Sequence, residues 1–545
     1  MKNKGRININ KKIILVGINS KYIHPAMGIF SIYTNSKYEL EYIEYNIKDD
    51  VKEITSNLEN YDVILLSTYI WNIEIVKEIL STLSPKIIVL GGPEASFNPS
   101  LILEYPNHTM YVIKGEGEEA VNEFFEYLED KRSYSTVSNL YYLYDGEIYY
   151  TYTKLPDLAN IKHDLSLIKD FENRVCYLEA SRGCFYNCTY CLAATEKPVR
   201  YFDVEEIKEN IRFLLDKKAK VIKFLDRSFN VKPEVANDLL LFILHNDNGV
   251  STFQFEVNGD AINANTINIL NHMRKKSVRL EIGIQSTNPQ TIKAINRTQD
   301  FNKLKNNILA LRDNCVIHTD LIAGLPFETF ERFKVSFNDT FLLFTEELQL
   351  GTLKELKGTI ISKTKDIYHY KFSETAPFEV MENDYISQDE INIIKKVEQA
   401  TDKFYNYGYF NRTIKYLFNN KNNKPFDILL DIITKMEKIK PINEFQFDEL
   451  AKEFYNVIKD YVKNKDELLF LLKQDYLLKN KIKPKIWWER NIKREERLEV
   501  YNLFAQNFDL NIEELFRYGH LEKLGKNYFL VNYKTHEYYH YKKEK

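Results

Sequence analysis

Short apolar runs alternate with helix-length amphipathic segments along the first 115 residues. Each run is almost continuously apolar, which is typical of a strand buried on both faces of a parallel sheet. Helices between consecutive strands would cover those two faces. The pattern therefore predicts a doubly wound α/β domain over residues 1–155, with strands at residues 12–18, 40–45, 63–69, 86–90 and 110–114.

A different pattern follows at residues 138–152, where two alternating runs flank Asp145 and Gly146. An Asp-Gly pair between such runs is a strong hairpin signal, because tight hairpin turns need positive φ angles that glycine adopts easily. We interpret this hairpin as a connector to the next domain.

Strand and helix patterns alternate again between residues 156 and 375. Helical patterns at residues 204–217, 233–245 and 327–344 separate the apolar runs. Six βα units predict an open, partial (β/α)6 barrel rather than the full eight-stranded one. The six strands are expected at residues 175–180, 221–225, 252–257, 278–284, 316–322 and 347–350.

The remaining residues, 376–545, predict a mainly helical domain that ends in a hairpin near residues 527–541. Apolar residues at i, i+3 and i+4 spacing place helices at residues 387–406, 426–437, 446–463 and 466–479. Basic residues surround Trp487 and Trp488, a composition that could mark a nucleic-acid surface. We favour a solvated helix face with packed tryptophans, because no RNA-binding signature accompanies these residues.

Composition restricts the class of protein. The chain has 545 residues, and its charges are nearly balanced, with 75 Lys and Arg against 78 Asp and Glu. Such a balance gives no reason to expect a nucleic-acid or membrane partner. No apolar run approaches the roughly 18 to 20 residues that cross a bilayer, and no signal-peptide core follows Met1. We expect a soluble, cytoplasmic protein in a reducing environment.

Three of the five cysteines, Cys184, Cys188 and Cys191, stand at CxxxCxxC spacing just after the first barrel strand. Three thiolates in one loop can hold three corners of a [4Fe-4S] cube and leave one iron open. A structural zinc site usually has four ligands in pairs, and a disulfide framework needs more cysteines. Both alternatives fit the sequence less well than a cluster. Cys176 and Cys315 fall inside strands and are expected to pack as apolar residues.

Polar side chains and glycine loops follow several predicted strands. Polar residues are costly to bury without partners, so their recurrence at the carboxyl ends of barrel strands favours a shared polar ligand. These residues are Asp226, Glu256, Gln285 and Asp320. In the first domain, glycine loops could bring backbone N–H groups close to a bulky ligand. These loops contain Gly91, Gly92, Gly115, Glu116 and Gly117.

The cysteine spacing, with Tyr190 before the last cysteine, resembles the cluster loop of the radical S-adenosylmethionine (SAM) superfamily. The stretches 281–286 and 320–326 resemble SAM-contacting strands of that superfamily. The resemblance implies that Glu256 and Asp320 hold the ribose region of SAM. It also implies that Gln285 and Arg297 contact the SAM carboxylate or ribose. Asp226 would lie near the methionine amino group, and Tyr190 would offer its backbone to adenine.

Residues 12–130, immediately upstream of such a loop, resemble the cobalamin-binding domain of B12-dependent radical SAM enzymes. The resemblance assigns the glycine-loop residues Gly91, Gly92, Gly115, Glu116 and Gly117 to cobalamin. Many such domains carry an Asp-x-His-x-x-Gly loop whose histidine ligates cobalt, but His24 stands at a different offset here. We expect no protein ligand on the lower face of the cobalamin, and a packing role for His24. Tyr69 and Trp71 could pack on the corrin or fill the core.

The C-terminal region resembles an uncharacterised domain of one subgroup of B12-binding radical SAM proteins. The resemblance implies an enzyme that uses a [4Fe-4S] cluster, SAM and cobalamin, and that takes electrons from a donor such as flavodoxin or ferredoxin. The leading hypothesis is C-methylation of an unactivated carbon of a small molecule or peptide. Radical rearrangement or cyclisation and a non-catalytic cofactor sensor remain alternatives. A methylthiotransferase is disfavoured because residues 1–155 contain no cysteine.

Overall fold

A computed structural model describes residues 6–543 of the chain. Its first sheet has seven strands in the order β2-β1-β3-β4-β5-β6-β7. The first five pair in parallel, as predicted. These seven strands are β1 (Ile13–Asn19), β2 (Glu41–Asn46), β3 (Val63–Ser67), β4 (Ile87–Gly91), β5 (Thr109–Ile113), β6 (Leu140–Tyr144) and β7 (Glu147–Tyr150).

Helices cover both faces of the first sheet. Alternate residues of β1 belong to different apolar clusters, with Leu15 packed on one side and Val16 on the other. Both residues are completely buried, which explains why the strand is apolar throughout. The helices are α1 (Met27–Asn35), α2 (Val51–Leu58), α3 (Ile73–Thr82), α4 (Pro93–Phe97), α5 (Leu101–Glu104) and α6 (Glu118–Leu128).

The predicted hairpin is β6 and β7, and it does more than connect two domains. β6 pairs antiparallel with β5, so the hairpin extends the first sheet by two strands. Tyrosines on neighbouring strands pack across it, with the rings of Tyr142 and Tyr149 stacked at 5.8 Å.

The second sheet is the predicted open barrel. Its six strands are all parallel, in the order β15-β14-β13-β12-β11-β8. They are β8 (Val175–Leu178), β11 (Val221–Phe224), β12 (Thr252–Glu256), β13 (Val278–Gln285), β14 (Val316–Ala323) and β15 (Glu347–Thr352). The short strands β9 (Ser181–Arg182) and β10 (Arg200–Tyr201) pair with each other where the cysteine loop begins and ends.

Helices follow the barrel strands on the outside, as the βα pattern predicts. They are α7 (Val204–Asp216), α8 (Pro233–His245), α9 (Ala264–His272), α10 (Pro289–Ala294), α11 (Phe301–Leu311), α12 (Phe330–Phe341) and α13 (Ile360–Lys363). Buried side chains such as Leu239, Leu304 and Phe337 form the core between helices and strands.

The two edges of the barrel contact different domains. At the β8 edge, Val175 N donates to Ile23 O at 2.9 Å, and Arg174 makes two hydrogen bonds to Glu44 at 2.8 and 2.9 Å. At the β15 edge, the side-chain amide of Asn406 bonds both N and O of Leu348 at 2.9 Å. Both edges of the sheet are therefore covered by neighbouring domains.

The C-terminal region is mainly helical, as predicted, and ends in a three-stranded sheet. Its helices are α14 (Gln388–Thr401), α15 (Asn411–Phe418), α16 (Pro425–Glu437), α17 (Phe447–Ile458), α18 (Lys465–Lys479), α19 (Arg494–Phe508) and α20 (Ile512–Tyr518). A two-stranded sheet, β16 (Lys371–Phe372) and β17 (Val380–Glu382), precedes them. The closing strands are β18 (Gly519–Leu524), β19 (Asn527–Asn532) and β20 (Glu537–Lys542), of which β18 was not expected.

The basic stretch around Trp487 and Trp488 packs against this sheet. Lys473 is buried and its ammonium lies 3.0 Å from Glu522, which also accepts a 2.8 Å hydrogen bond from Trp488 Nε1. These contacts match the packed tryptophans of our interpretation, but the helix face is wrong, because Trp487 and Trp488 lie in the connection between α18 and α19. In residues 6–543, no helix combines the length and apolar character that a membrane span requires.

Candidate functional site

The cysteine loop folds back on itself directly after β9. Gly183 has φ +96°, and a Cβ there would lie 2.6 Å from Pro198 O, so only glycine fits this close approach. Cys184 N donates to Glu196 O at 3.0 Å, and Lys197 Nζ donates to Phe185 O and Tyr186 O at 2.7 and 2.9 Å. The start and end of the loop are thereby held together around the three cysteines.

The barrel also holds the loop from outside. Thr189 N donates to Ile295 O at 3.0 Å, and Asn296 Nδ2 donates to Asn187 O at 3.1 Å. Cys184 and Cys188 are buried, whereas Cys191 is half-buried. Burial raises the pKa of Cys184 and of Cys191, and Arg227 opposes that rise by favouring both thiolates. The loop thus presents three shielded thiols with a cation nearby.

The donor set fits a cluster better than a single metal ion. Among the described residues, no three His, Cys, Asp or Glu side chains are placed to hold one metal ion. A [4Fe-4S] cube has iron at four of its corners and each cysteine would bind a different iron, so its thiolates stand further apart than the ligands of one zinc ion. The three thiols lie near each other, since Cys184 and Cys188 both act to raise the pKa of Cys191.

Two predicted SAM residues, Arg297 and Gln285, meet at this loop. Arg297 donates to Gly283 O at 2.7 Å, and its Nη1 lies 4.0 Å from Cys188 Sγ. Gln285 has φ +66° where the pairing of β13 with β14 shifts register. Its Oε1 is buried and has no hydrogen-bond partner among the described residues. A buried unpaired oxygen costs free energy, so it fits a position that awaits a ligand.

Glu256 and Asp320 lie on the inner face of the same barrel. Glu256 ends β12, 3.8 Å from Lys223 Nζ, and burial raises its pKa. Asp320 Oδ1 lies 2.7 Å from His318 Nε2. Burial lowers the pKa of His318, but the hydrogen bond to Asp320 and the charges of Asp320 and Glu347 together raise it above its usual value. Both carboxylates are partly exposed and can accept hydrogen bonds from a ligand.

Asp226 and Tyr190 are placed more deeply. Asp226 is fully buried and accepts hydrogen bonds from Ala180 N at 2.9 Å and from Ser181 Oγ at 2.5 Å. Its carboxylate therefore anchors the strand that leads into the cysteine loop. Burial raises its pKa to about 7. Burial also raises the pKa of the Tyr190 phenol, which lies near Arg297 and Cys188.

The glycine loops of the first domain lie at the ends of neighbouring strands. Gly91 ends β4, and Gly92 has φ +93°, with an added Cβ only 2.5 Å from Thr68 O. Gly115 follows β5 and donates from its N–H to Ser96 Oγ at 3.2 Å. Gly117 caps α6. These loops share one edge of the sheet, as carboxyl ends of parallel strands must.

Tyr69 and Trp71 follow β3 at the same edge. Their rings stack at 4.3 Å, and Trp71 is 45% exposed. Burial raises the pKa of Tyr69, and Arg227 acts in the opposite direction. Arg227, directly after Asp226, also interacts with Cys191. Arg227 is therefore within electrostatic range of Tyr69 at the edge of the first sheet and of Cys191 in the cysteine loop.

Glu116 makes contacts that the sequence did not indicate. It forms ion pairs with Arg182, at 2.9 Å, and with Arg200. Arg182, Arg200 and Arg227 were not predicted from the sequence, although an arginine two residues before the first cysteine could have been noted.

His24 Nδ1 lies 2.6 Å from the Tyr177 hydroxyl, and burial lowers the pKa of His24. This contact agrees with the expected packing role.

Comparisons with known families now identify the class of protein. Residues 13–125 match the B12 binding domain, residues 178–339 match the radical SAM superfamily, and residues 366–542 match a protein family of unknown function, DUF4080. The chain is a B12-binding radical SAM protein with a DUF4080 domain at its C-terminal side. The predicted domain boundaries at residues 155 and 375 and the predicted site residues stay predictions.

Two curated relatives are methyltransferases from a Streptantibioticus and a Streptomyces species. The chain is 24% identical over 367 residues to 2-(S-pantetheinyl)-carbapenam-3-carboxylate methyltransferase of Streptantibioticus cattleyicolor. It is 24% identical over 361 residues to the cobalamin-dependent radical SAM methyltransferase TokK of Streptomyces tokunonensis. Each match covers 59% of this chain and 52% of the relative, so the chain spans about half the length of these relatives.

A solved structure shares the fold over most of the chain. The cobalamin-dependent S-adenosylmethionine radical enzyme OxsB, with aqua-cobalamin and S-adenosylmethionine bound, aligns with a TM-score of 0.58 at 15% identity. The alignment covers 92% of this chain and 82% of that structure. The fold class predicted from the sequence is thereby confirmed.

Proposed function

We propose that the chain is a cobalamin-dependent radical SAM enzyme that methylates an unactivated carbon. The observation that carries this proposal is the pair of ion pairs that join Glu116, in the glycine loop after β5, to Arg182 and Arg200, which flank the cysteine loop. Two cofactors bound at these places would share one cavity. The cluster with SAM would supply a 5′-deoxyadenosyl radical, and cobalamin would supply a methyl group.

The chain's own residues hold and shield the reactants in this proposal. Cys184, Cys188 and Cys191 bind the cluster. The unpaired oxygen of Gln285 and the partly exposed carboxylates of Glu256 and Asp320 accept hydrogen bonds from SAM. Arg297, close to Cys188, offers positive charge to the SAM carboxylate.

The first sheet holds the second cofactor. Gly91, Gly92, Gly115, Glu116 and Gly117 lie at the edge where cobalamin would bind, and Trp71 offers an exposed ring. We place the protein in the cytoplasm and infer that a flavodoxin or ferredoxin supplies the electron. A small molecule or peptide would be the substrate.

The test uses the full chain, with its cluster reconstituted anaerobically. We expect it to bind cobalamin, seen by absorbance, and to release 5′-deoxyadenosine from SAM after dithionite reduction. Serine at Cys184, Cys188 or Cys191 should abolish SAM cleavage but leave cobalamin binding within about twofold of the parent. A protein that binds no cobalamin would refute the cobalamin assignment. Failure to cleave SAM would revive the sensor hypothesis.

A further inference from the structure

We propose that Arg182 is a positioning residue that fixes the cysteine loop against the cobalamin-facing loop of the first domain. This inference rests on the proposed function, because it concerns the relative placement of the two cofactors. Arg182 stands two residues before Cys184, in β9. Its guanidinium contacts carboxylates from both sides of the domain interface.

Three carboxylates converge on Arg182, each at 2.9 Å. Glu116 and Glu118 come from the loop after β5 and the start of α6, and Glu179 lies between β8 and β9. Arg200, in the strand paired with β9, forms a second ion pair with Glu116. Arg182 therefore joins the glycine loop after β5 to the start of the cysteine loop through charged hydrogen bonds.

The ion pairs of Arg182 are shielded from solvent, which restricts the conformations of its side chain. Side-chain exposure is 14% for Arg182 and 5% for Glu118. Burial raises the pKa of Glu179, but His163 and Arg182 lower it by more, so the carboxylate stays charged. Glu118 also accepts from Ser31 Oγ at 2.6 Å. A buried arginine with three charged acceptors has few other arrangements open to it.

Lysine cannot replace this arginine. Its ammonium is a compact point charge, whereas the planar guanidinium carries five donors that can bridge several carboxylates. Arg182→Lys keeps the charge and thus limits damage to the fold, but it should loosen the link between the loops. Arg174→Lys is the matched control, since Arg174 also bridges the two domains, through two hydrogen bonds to Glu44 at the opposite side of β8.

The first measurement reports the distance between the cofactors. The reconstituted holoprotein, with cob(II)alamin and a dithionite-reduced cluster, carries two unpaired spins whose coupling depends steeply on their separation. We expect a defined spin–spin interaction in the parent and in Arg174→Lys, and a broadened distribution in Arg182→Lys at unchanged cofactor content. Equal spectra for the parent and Arg182→Lys would overturn the proposal, as would an equal change in Arg174→Lys.

The second measurement needs no cofactor. Amide hydrogen exchange of the full chain should become roughly tenfold faster in residues 114–118 and 181–186 of Arg182→Lys, because the local opening free energy falls. Exchange in Arg174→Lys should change only near residues 174 and 44. Uniform exchange across all three proteins would refute the positioning role. Failure of the proposed function would appear instead as a parent that binds no cobalamin or cluster.

Discussion

Adjacent glycines at the end of β4 give a sharp test of the candidate cobalamin edge. Gly91→Ala and Gly92→Ala add the same methyl group one residue apart, but the two positions differ in geometry. At Gly91 the nearest atom to an added Cβ is Ile113 O at 4.0 Å. At Gly92, φ is +93° and Thr68 O lies 2.5 Å from that Cβ.

The structure sets the size of each effect. At Gly92, φ +93° and ψ 172° lie in a region that essentially only glycine adopts, so an L-residue there costs about 1–3 kcal/mol. The methyl would also displace Thr68, whose N–H and hydroxyl both donate to Gly91 O at 2.7 Å. Losing one or two of these bonds adds about 1 kcal/mol each, so we expect destabilisation of about 3 kcal/mol. Gly91→Ala should change the stability by less than about 0.5 kcal/mol.

For cobalamin binding, the informative variant is Gly91→Ala, whose stability should hardly change. If a flat cofactor lies against this loop, the methyl at Gly91 stands between backbone and ligand and should weaken cobalamin binding about tenfold, equivalent to about 1.4 kcal/mol. Urea unfolding of the cofactor-free protein gives stability, and absorbance titration with cobalamin gives affinity. Parent-like affinity in Gly91→Ala would remove Gly91 from the site. Equal stability of both variants would refute the backbone argument.

Two further predictions concern buried carboxylates. The pKa of Asp226, raised by burial to about 7, lies above its unfolded value, so its stabilising contribution is present in acid and lost as pH rises. The melting temperature of the parent should therefore fall relative to Asp226→Asn between about pH 4 and pH 7, the interval between the two pKa values; parallel curves would contradict this. Glu522→Gln leaves Lys473 buried without its anion and should cost about 3–5 kcal/mol, whereas the exposed control Glu74→Gln should cost under about 0.5. Equal melting temperatures for Glu522→Gln and Glu74→Gln would refute this prediction.

Local pattern was enough to predict the strands of both parallel sheets. The central strands of the first sheet are buried on both faces, so apolar runs such as residues 63–67 mark them. Barrel strands such as β13 instead alternate buried and half-buried residues, which gives a period-2 pattern. β18 was missed because His520 and Glu522 interrupt its apolar pattern. Both side chains are buried, with His520 Nε2 at 2.8 Å from Glu522 and Lys473 on the other oxygen. A strand stabilised by such internal ion pairs gives no periodic signal.

Within the candidate site, the sequence predicted features that short stretches of the chain contain by themselves. The cysteine spacing is local, and so are polar residues that end strands. The support for Gln285 is not local: Ser286 Oγ beside it donates at 2.7 Å to Glu328, a fully buried carboxylate that also accepts from Thr291 and Ser336. These partners come from separate segments, so only the folded chain brings them together.

The arginine ion pairs between the first domain and the barrel show most clearly what the sequence could not predict. Arg182 and Glu116 are 66 residues apart and belong to different domains, and neither sequence segment indicates the other. Their contact, with the Arg174–Glu44 pair, joins the two domains at two shielded points. Opening the interface would leave buried charges unpaired, which is costly. The glycine loop after β5 and the cysteine loop are therefore held together through Arg182 before any ligand binds.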